Sequence, residues 1–482
     1  MRHKRSMRPG PGVFLSMCLI ALAVLASAAP GDPLDRDFVD RITAGLDRAV
    51  TAFAKLGRQG AYADEHSPSG PVAMTDARVH PNATPQVGHA FLLAYSTTGN
   101  DAYLRLAREC AEILVAGQLD NGGWAGEIPL DPADTARIST RLNPPAPGRE
   151  CIPRPGNMDD GIAHGPIDFL FAMADVAGDA RCREAARAGL WFLVNSQYPI
   201  GAWPQRWPAG AVIEGGHGLG AYPIWYTIND DLMGWNISTL LAHADELPDR
   251  VAERTVENAL RWLISAQLPE PQPGWAQQYD YDMQPVAARW HEPAAVSPDA
   301  TADALAVLLN AYLRTGNAEY LHPFPRALRW LRSVEGPPGL WFRYFDRAGR
   351  RIYVDERDEQ TIRVYQIGES FESGYPARGL ESGGKLKDFG IPHLIQAYAE
   401  LQELGREKYL AKLRTPLAAD EVRARAEEAL AAMNPQGYWV DDNGRIRTTD
   451  FCRNVRRICA ALAYPQSIGR DFTRLDYGLG DG

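Results

Sequence analysis

The chain has 482 residues and a formal net charge of −10, with an apolar fraction of 45%. That length exceeds one small core and implies one large domain or two ordinary ones, and the apolar content is ordinary for a globular protein. An acidic balance argues against nucleic acid, which requires a basic footprint. An anionic partner would have to be attracted locally, by arginines or a bound cation.

The first 28 residues read as a secretory signal peptide. Arg2, Lys4, Arg5 and Arg8 form a basic head, 13–26 is an apolar run, and Ala26-Ser27-Ala28 is a small-residue cleavage site. The run is shorter than the roughly 20 residues needed to span a bilayer. Removing the segment takes away four positive charges and moves the net charge from −10 to −14. The mature protein is expected to be secreted or periplasmic, monomeric and free of the membrane. Cys18 leaves with the signal; Cys110, Cys151, Cys182, Cys452 and Cys459 remain. An odd number allows one disulfide without revealing its connectivity. Cys452 and Cys459 are seven residues apart on an expected helix, about 10 Å along its axis and too far to bridge to each other. No CxxC or HExxH phrase points to zinc.

Apolar residues recur with helical spacing over 36–58, 85–98, 101–117, 164–177, 181–196, 229–246, 250–267, 300–315, 317–334, 389–403, 417–433 and 448–462. Asp101, Asp179 and Asp249 stand where helix caps belong. Gly99 and Gly316 mark turns between consecutive helices. Residues 349–354 suggest part of a small hairpin, and the polar, Gly-containing stretch 381–388 suggests a connector.

A repeat overlies these elements. A Gln-to-Trp phrase runs from Gln118 to Trp124 and again from Gln197 to Trp203, and a longer form runs from Gln267 to Trp275. Weaker copies end at Trp341 and Trp439. The clearer copies recur about every 70–80 residues, enough for two helices and a loop. Paired helices joined by repeated Gly-Trp loops indicate an all-α fold: an α/α toroid, an incomplete barrel of helical hairpins with long loops and a small β-hairpin. Each loop Trp either packs over helix ends or stacks on a sugar ring.

The densest stretch is 195–205 followed by 227–231. It offers a helix end, a tight Gly turn, Trp203, and then Asn229-Asp230-Asp231 at the start of an apolar helix. A second acidic turn, Asn157-Met158-Asp159-Asp160-Gly161, precedes the helix at His164. Either pair alone suits a helix cap; together at one toroid mouth they form an oxygen-rich cation site suited to calcium. Arg289 lies between Pro285 and Pro293, on an expected loop. A basic, aromatic stretch follows, with Arg343, Tyr344, Arg350, Arg351 and Arg357.

In order and rough spacing these phrases resemble the family 10 polysaccharide lyases, which are pectate lyases. The resemblance is carried by Gly122-Gly123-Trp124, Met158-Asp159-Asp160, 197–205 (QYPIGAWPQ), 228–233 (INDDLM), 275–280 (WAQQYD), 288–292 (ARWHE), 341–346 (WFRYFD), Arg357-Asp358 and Gly374-Tyr375. It covers roughly 80–380, with YPxGxWPQ and NDD the most specific phrases. It implies a catalytic domain at 29–380 and a helical C-terminal extension at 381–482 that closes or extends the toroid. It implies that Asp159 and Asp230 hold calcium together with a substrate carboxylate, that Arg289 is the catalytic base, and that Arg351 or Arg357 grips a uronate carboxylate. Arg343, Trp203 and Asp231 complete the candidate substrate contacts.

The implied reaction is calcium-assisted β-elimination on polygalacturonate or pectate. An arginine base demands a depressed pKa, from neighbouring cations and desolvation. The sequence departs from the family at Ala125-Gly126, which stands for Pro-Lys, at Tyr279, which stands for His, and at Phe371-Glu372, which stands for two arginines. The alternatives are another uronan-active lyase or hydrolase on the same scaffold, and a non-catalytic glycan-binding homologue. A hydrolase would require Asp159 and Asp230 about 6.5–9.5 Å apart as acid and base.

Overall fold

Helices in this chain are joined alternately by a short turn and a long loop, and that alternation builds the molecule. A computed structural model describes residues 34–68, 74–144, 154–210, 222–289, 292–354, 362–365, 386–415 and 417–464. The expected signal segment, Cys151 and Arg357 lie outside the described residues. The helices are α1 (Arg36–Ala54), α2 (Thr84–Thr98), α3 (Asp101–Ala116), α4 (His164–Ala177), α5 (Ala180–Ser196), α6 (Leu232–Ala242) and α7 (Val251–Ser265). They continue with α8 (Pro298–Thr315), α9 (Phe324–Ser333), α10 (Ile391–Leu404), α11 (Arg406–Leu413), α12 (Ala419–Ala432) and α13 (Thr448–Leu462). No helix among the described residues is long and apolar enough to cross a membrane.

The packing order gives an α/α toroid. Helices α13, α2, α4, α6, α8 and α10 lie side by side in that sequence as an inner row. Helices α3, α5 and α7 back them, and α12 and α13 both pack on α1, which brings the last hairpin onto the first. Burial follows the same division. Helix α4 is buried almost all round, at His164, Ile167, Phe169, Leu170, Phe171 and Met173. Helix α7 buries one stripe, at Ala252, Val256, Ala259, Leu260 and Leu263. That is the signature of an inner and an outer helix.

The short turns use glycine where the chain must turn left-handed: Gly99, Gly178 and Gly316 sit at helix ends with φ of 72°, 67° and 77°. Asp179 caps α5, accepting from Arg181 N and Cys182 N. The other two expected caps are displaced by one residue. Asn100, not Asp101, accepts from Ala102 N at α3, and Arg250, not Asp249, precedes α7. Helix α11 is absent from the expectations because its eight residues are too few to show a period.

The repeated phrase is a helix plug. The indole N–H of Trp124 donates to Leu114 O at 2.7 Å, Trp203 to Leu193 O at 2.8 Å, and Trp275 to Leu263 O at 2.8 Å. Trp341 donates to Leu331 O and Trp439 to Ala429 O, both at 2.7 Å. Each bond satisfies a carbonyl in the last turn of an outer helix, where intrahelical partners run out. The preceding glutamine ties the plug to the next hairpin: Gln197 Nε2 donates to Gly201 O and to Thr255 O of α7, and Gln118 Nε2 to Gly122 O and to Ala185 O of α5. A side chain at Gly201 (φ 104°) would sit 2.3 Å from Asn258 O, so the turn presses directly on the neighbouring helix.

A further copy escapes the sequence because tyrosine replaces tryptophan. In a turn one residue shorter, Arg58 N donates to Ala61 O as Tyr198 N does to Ala202 O, Gly60 has φ of 80°, and Tyr62 is buried. All these plugs hang from outer-helix C-termini, so the long loops all emerge at one rim.

Five short antiparallel pairings stitch that rim: β1 (Glu65–His66) with β12 (Ile446–Arg447), β2 (Asp76–Arg78) with β3 (Glu127–Pro129), β4 (Gly156–Asn157) with β5 (Arg206–Trp207), β6 (Tyr226–Thr227) with β8 (Gln278–Tyr279), and β7 (Trp275–Ala276) with β9 (Val296–Ser297). The expected hairpin is β10 (Arg351–Val354) with β11 (Ile362–Tyr365). The described cysteines, Cys110, Cys182, Cys452 and Cys459, are free and buried.

The plug sets a stability test. Trp203→Phe removes the indole donor, leaves Leu193 O with only the Ser196 Oγ at 3.1 Å, and should cost about 1 kcal/mol. Gly201→Ala adds backbone strain and a clash and should cost more, about 2–4 kcal/mol. Urea midpoints of the two variants check the ranking.

Candidate cation and substrate site

Two acidic turns meet at the stitched rim. Met158 N donates to Gln205 O at 2.8 Å, which fixes the turn carrying Asp159 and Asp160 just before α4. Ile228 N donates to Gln277 O, also at 2.8 Å, and fixes the turn carrying Asp230 and Asp231 just before α6. Asp160, Asp230 and Asp231 hold positive φ angles of 52°, 58° and 53°. The left-handed region is costly for most residues and is tolerated by aspartate. Strain of this kind gathers at functional sites. The left-handed turns at Asp160 and Asp230 accompany the convergence of their carboxylates with that of Asp159.

One oxygen from each of Asp159, Asp160 and Asp230 lies within 4.8 Å of the others. Burial, then the charges of Asp230 and Asp160, push Asp159 well above the ordinary carboxylate range. Burial and Asp160 push Asp230 up to about 6, against the opposing charge of Arg343. Asp159 Oδ1 and Asn229 Oδ1 are buried without a hydrogen-bond partner. Converging carboxylates that repel one another, with unsatisfied oxygens among them, are short of positive charge. A hard divalent cation such as calcium fits this all-oxygen set. The separation is shorter than the roughly 6.5–9.5 Å of an inverting hydrolase pair.

Arg289 stands beside these turns: its charge acts on Asp159, and that of Asp230 acts on it. Its guanidinium forms a fork with Glu292, Nε to Oε2 at 2.8 Å and Nη2 to Oε1 at 2.7 Å, and lies 5.9 Å from the Tyr222 ring centroid. The depressed pKa expected of a basic arginine is not found here. The side-chain hydrogen bonds to Glu292 raise it, outweighing burial, because the nearest charges are carboxylates rather than cations. Arg343 pairs with Asp299 at 3.0 Å and is close enough to stabilise the Asp230 anion.

The structure thus brings together Asp159, Asp230, Arg289 and Arg343. Of the other expected contacts, Arg357 lies outside the described residues, and the rest have other surroundings. Trp203 is 0% exposed and bound to Leu193 O, so it has no free face for a sugar; the stacking expectation is corrected to a structural plug. Asp231 folds back on the first turn of α6, where a Cβ on Gly234 would lie 2.1 Å from its Oδ1, and where the helix dipole favours an anion. Arg351 sits on the β10 strand with its guanidinium 4.6 Å from the Phe342 ring centroid. Tyr279, the residue in place of a family histidine, is buried and donates to Ala266 O.

Sequence reading missed Glu292 and the pair Asp299 and Asp303 on α8. Burial and the other carboxylates push Asp303 well above the ordinary range. The signal was available: two acids four residues apart share one face of an otherwise apolar inner helix.

The pectic acid lyase family model matches residues 152–298, a span that holds both acidic turns and Arg289. No curated protein matches the chain. Among solved structures, a family 10 polysaccharide lyase from Cellvibrio cellulosa is 23% identical, with 57% of this chain and 86% of that one covered and a TM-score of 0.41. A mutant of that enzyme in complex with trigalacturonic acid is 22% identical, with coverage of 59% and 89% and a TM-score of 0.41. Cellobiose 2-epimerase from Bacillus thermoamylovorans is 13% identical, with coverage of 87% and 99% and a TM-score of 0.44.

The acidic turns give stability a pH signature. Folding raises Asp159 and Asp230 above the ordinary value of 3.8, Asp230 to about 6, so the folded chain binds more protons than the unfolded one from about pH 4 upward. Stability therefore falls as pH rises and these carboxylates ionise against one another, Asp230 at about pH 6. Calorimetry should show calcium raising Tm at about pH 7.5, with a stability gain of roughly 2–3 kcal/mol at a hundredfold excess over Kd, and hardly at all near pH 4. Asp230→Asn should raise the calcium-free Tm at the higher pH and abolish the increment. An undiminished increment in the variant would remove the cation from these turns.

Proposed function

We propose, for a chain whose residues 152–298 match the pectic acid lyases, that it cleaves polygalacturonate or pectate by β-elimination. The reading is supported chiefly by the meeting of Asp159, Asp160 and Asp230 within 4.8 Å beside the Arg289 guanidinium. We assign the protein to the extracellular or periplasmic space, where the basic head and apolar run of 1–28 would send it, and take it to act as a monomer.

The reaction breaks the C5–H bond of a uronate and then its bond from C4 to the glycosidic oxygen. A C4–C5 double bond forms, and the departing oxygen takes up a proton. The C5 proton is weakly acidic because the adjacent carboxylate resists further negative charge. Asp159, Asp160 and Asp230 would hold calcium together with that carboxylate. A bound calcium ion would neutralise the carboxylate's charge and make the C5 proton easier to remove.

The proton at C5 would be taken by Arg289. The Glu292 fork fixes the guanidinium plane and its direction, so the group meets the sugar in one orientation. The same fork keeps Arg289 protonated at neutral pH, so only a small fraction is competent as a base. Arg343, already aligned by Asp299, would meet a uronate carboxylate.

An inverting hydrolase is disfavoured by the 4.8 Å limit on the spacing of the carboxylate oxygens, against the roughly 6.5–9.5 Å such a pair needs. The non-catalytic alternative makes a different prediction, binding without turnover.

Mature protein on polygalacturonate should generate an unsaturated uronate, seen as rising ultraviolet absorbance, and a chelator should stop it. Arg289→Ala should lower kcat by about 10²–10⁴, the usual range for a general base, while oligogalacturonide binding persists. The rate should climb with pH into the alkaline range. Glu292→Gln removes the group that raises Arg289's pKa and should shift that limb to lower pH. A limb that stays in place would show that Arg289 is not the titrating base.

A further inference from the structure

The aromatic residues of the Gly-Trp phrases are spent on helix plugs, yet the same rim presents other rings. Tyr281, on the turn after β8, is 50% exposed. An exposed tyrosine is ordinarily free to rotate, but this one is held upright. Its ring meets Trp225 at 4.9 Å, Tyr226 at 5.5 Å and Tyr198 at 6.0 Å between centroids, with interplanar angles of 66°, 68° and 75°. Its hydroxyl donates to Ile224 O at 3.3 Å, the carbonyl that also accepts from Tyr198 OH at 2.8 Å. Edge-to-face packing braces a ring without covering both its faces. The orientation is fixed before any ligand arrives, which lowers the entropy lost on binding.

The cluster is continuous with the proposed reaction centre. Segment 222–226 carries Tyr222, the ring beside Arg289, at one end and Trp225 and Tyr226 at the other. Trp225 is five residues before Asp230 along the chain, at most about 18 Å when fully extended. A bound oligosaccharide of a few units covers that reach.

We propose that Tyr281, braced by Trp225, is a stacking platform for a sugar ring of the bound uronan, on the same rim as the acidic turns. The inference rests on the uronan reading above. Sugar rings turn apolar C–H faces toward aromatic faces, while their carboxylates remain free for cations and arginines.

The test uses the mature protein with calcium and hexagalacturonate, measuring cleavage kinetics and, separately, calorimetric binding with Arg289→Ala as the common background. Tyr281→Ala should raise KM and Kd about five- to tenfold, the scale of one lost aromatic contact, with kcat within about twofold. Tyr281→Phe should restore both. Trp191→Ala, an exposed ring on α5, should change neither. A Tyr281→Ala protein with unaltered Tm, KM and Kd overturns the platform while leaving the lyase reading intact. A wild type that binds without cleaving overturns the lyase reading, and the Kd comparison still decides the platform. A wild type that neither binds nor cleaves overturns both.

Discussion

The indole-to-carbonyl hydrogen bond at the end of an outer helix is the interaction on which this architecture depends. A helix end buried under a loop leaves carbonyls that water cannot reach, and an unsatisfied buried acceptor costs about 1–3 kcal/mol. Here a tryptophan ten residues beyond the acceptor supplies the donor for Trp124, Trp203, Trp341 and Trp439, and one twelve residues beyond does so for Trp275. The same ring fills the space between inner and outer helices. One residue therefore ends the helix, fills the core and sets where the next loop leaves. The glutamine and the close-packed glycine then fix the angle to the following hairpin, and repetition of one local solution generates a ring.

A ring built this way sends its long loops to one face, which concentrates chemistry there. The inner helices α4 and α6 begin at that face, and their first turns follow Asp160 and Asp231. Backbone pairing between neighbouring loops holds the turns in register, so the carboxylates cannot relax away from each other. The cost of crowding them is carried by the scaffold, in left-handed aspartates and raised pKa values. Such preorganised repulsion would be relieved by a bound cation. The surrounding arginines are themselves paired with Glu292 and Asp299, so the mouth holds aligned positive groups without a net basic surface.

The scaffold was largely legible in the sequence because it is written twice, as helical period and as repeated phrase. The helices from 84 to 315 begin within a few residues of their expected starts. The acidic turns were legible as pairs before apolar helices, although Asp160 was passed over as a ligand. What was not legible depends on facing. Trp203 and Tyr281 are both aromatic residues in loops, and only three-dimensional packing tells that one is 0% and the other 50% exposed. The electrostatic setting of Arg289 was likewise hidden. Its partner Glu292 is three residues away in the chain, but whether a loop curls to join them is a tertiary matter. The copy at Tyr62 was missed because a buried tyrosine stands where the other copies carry a tryptophan.

The seam where β1 pairs with β12 has a bearing on how the chain reaches its final form. Glu65 lies opposite Arg447, Thr448 N donates to Asp64 O, and Phe451 stacks on Phe53 at 3.8 Å. These contacts join segments nearly four hundred positions apart. Helix α1 consequently has no complete partner until almost the whole polypeptide has been made. Local hairpins can assemble as they appear, but their apolar flank stays open, and the slow, long-range event is the last one. For such a molecule the vulnerable interval is the wait between making the first hairpin and latching it to the last.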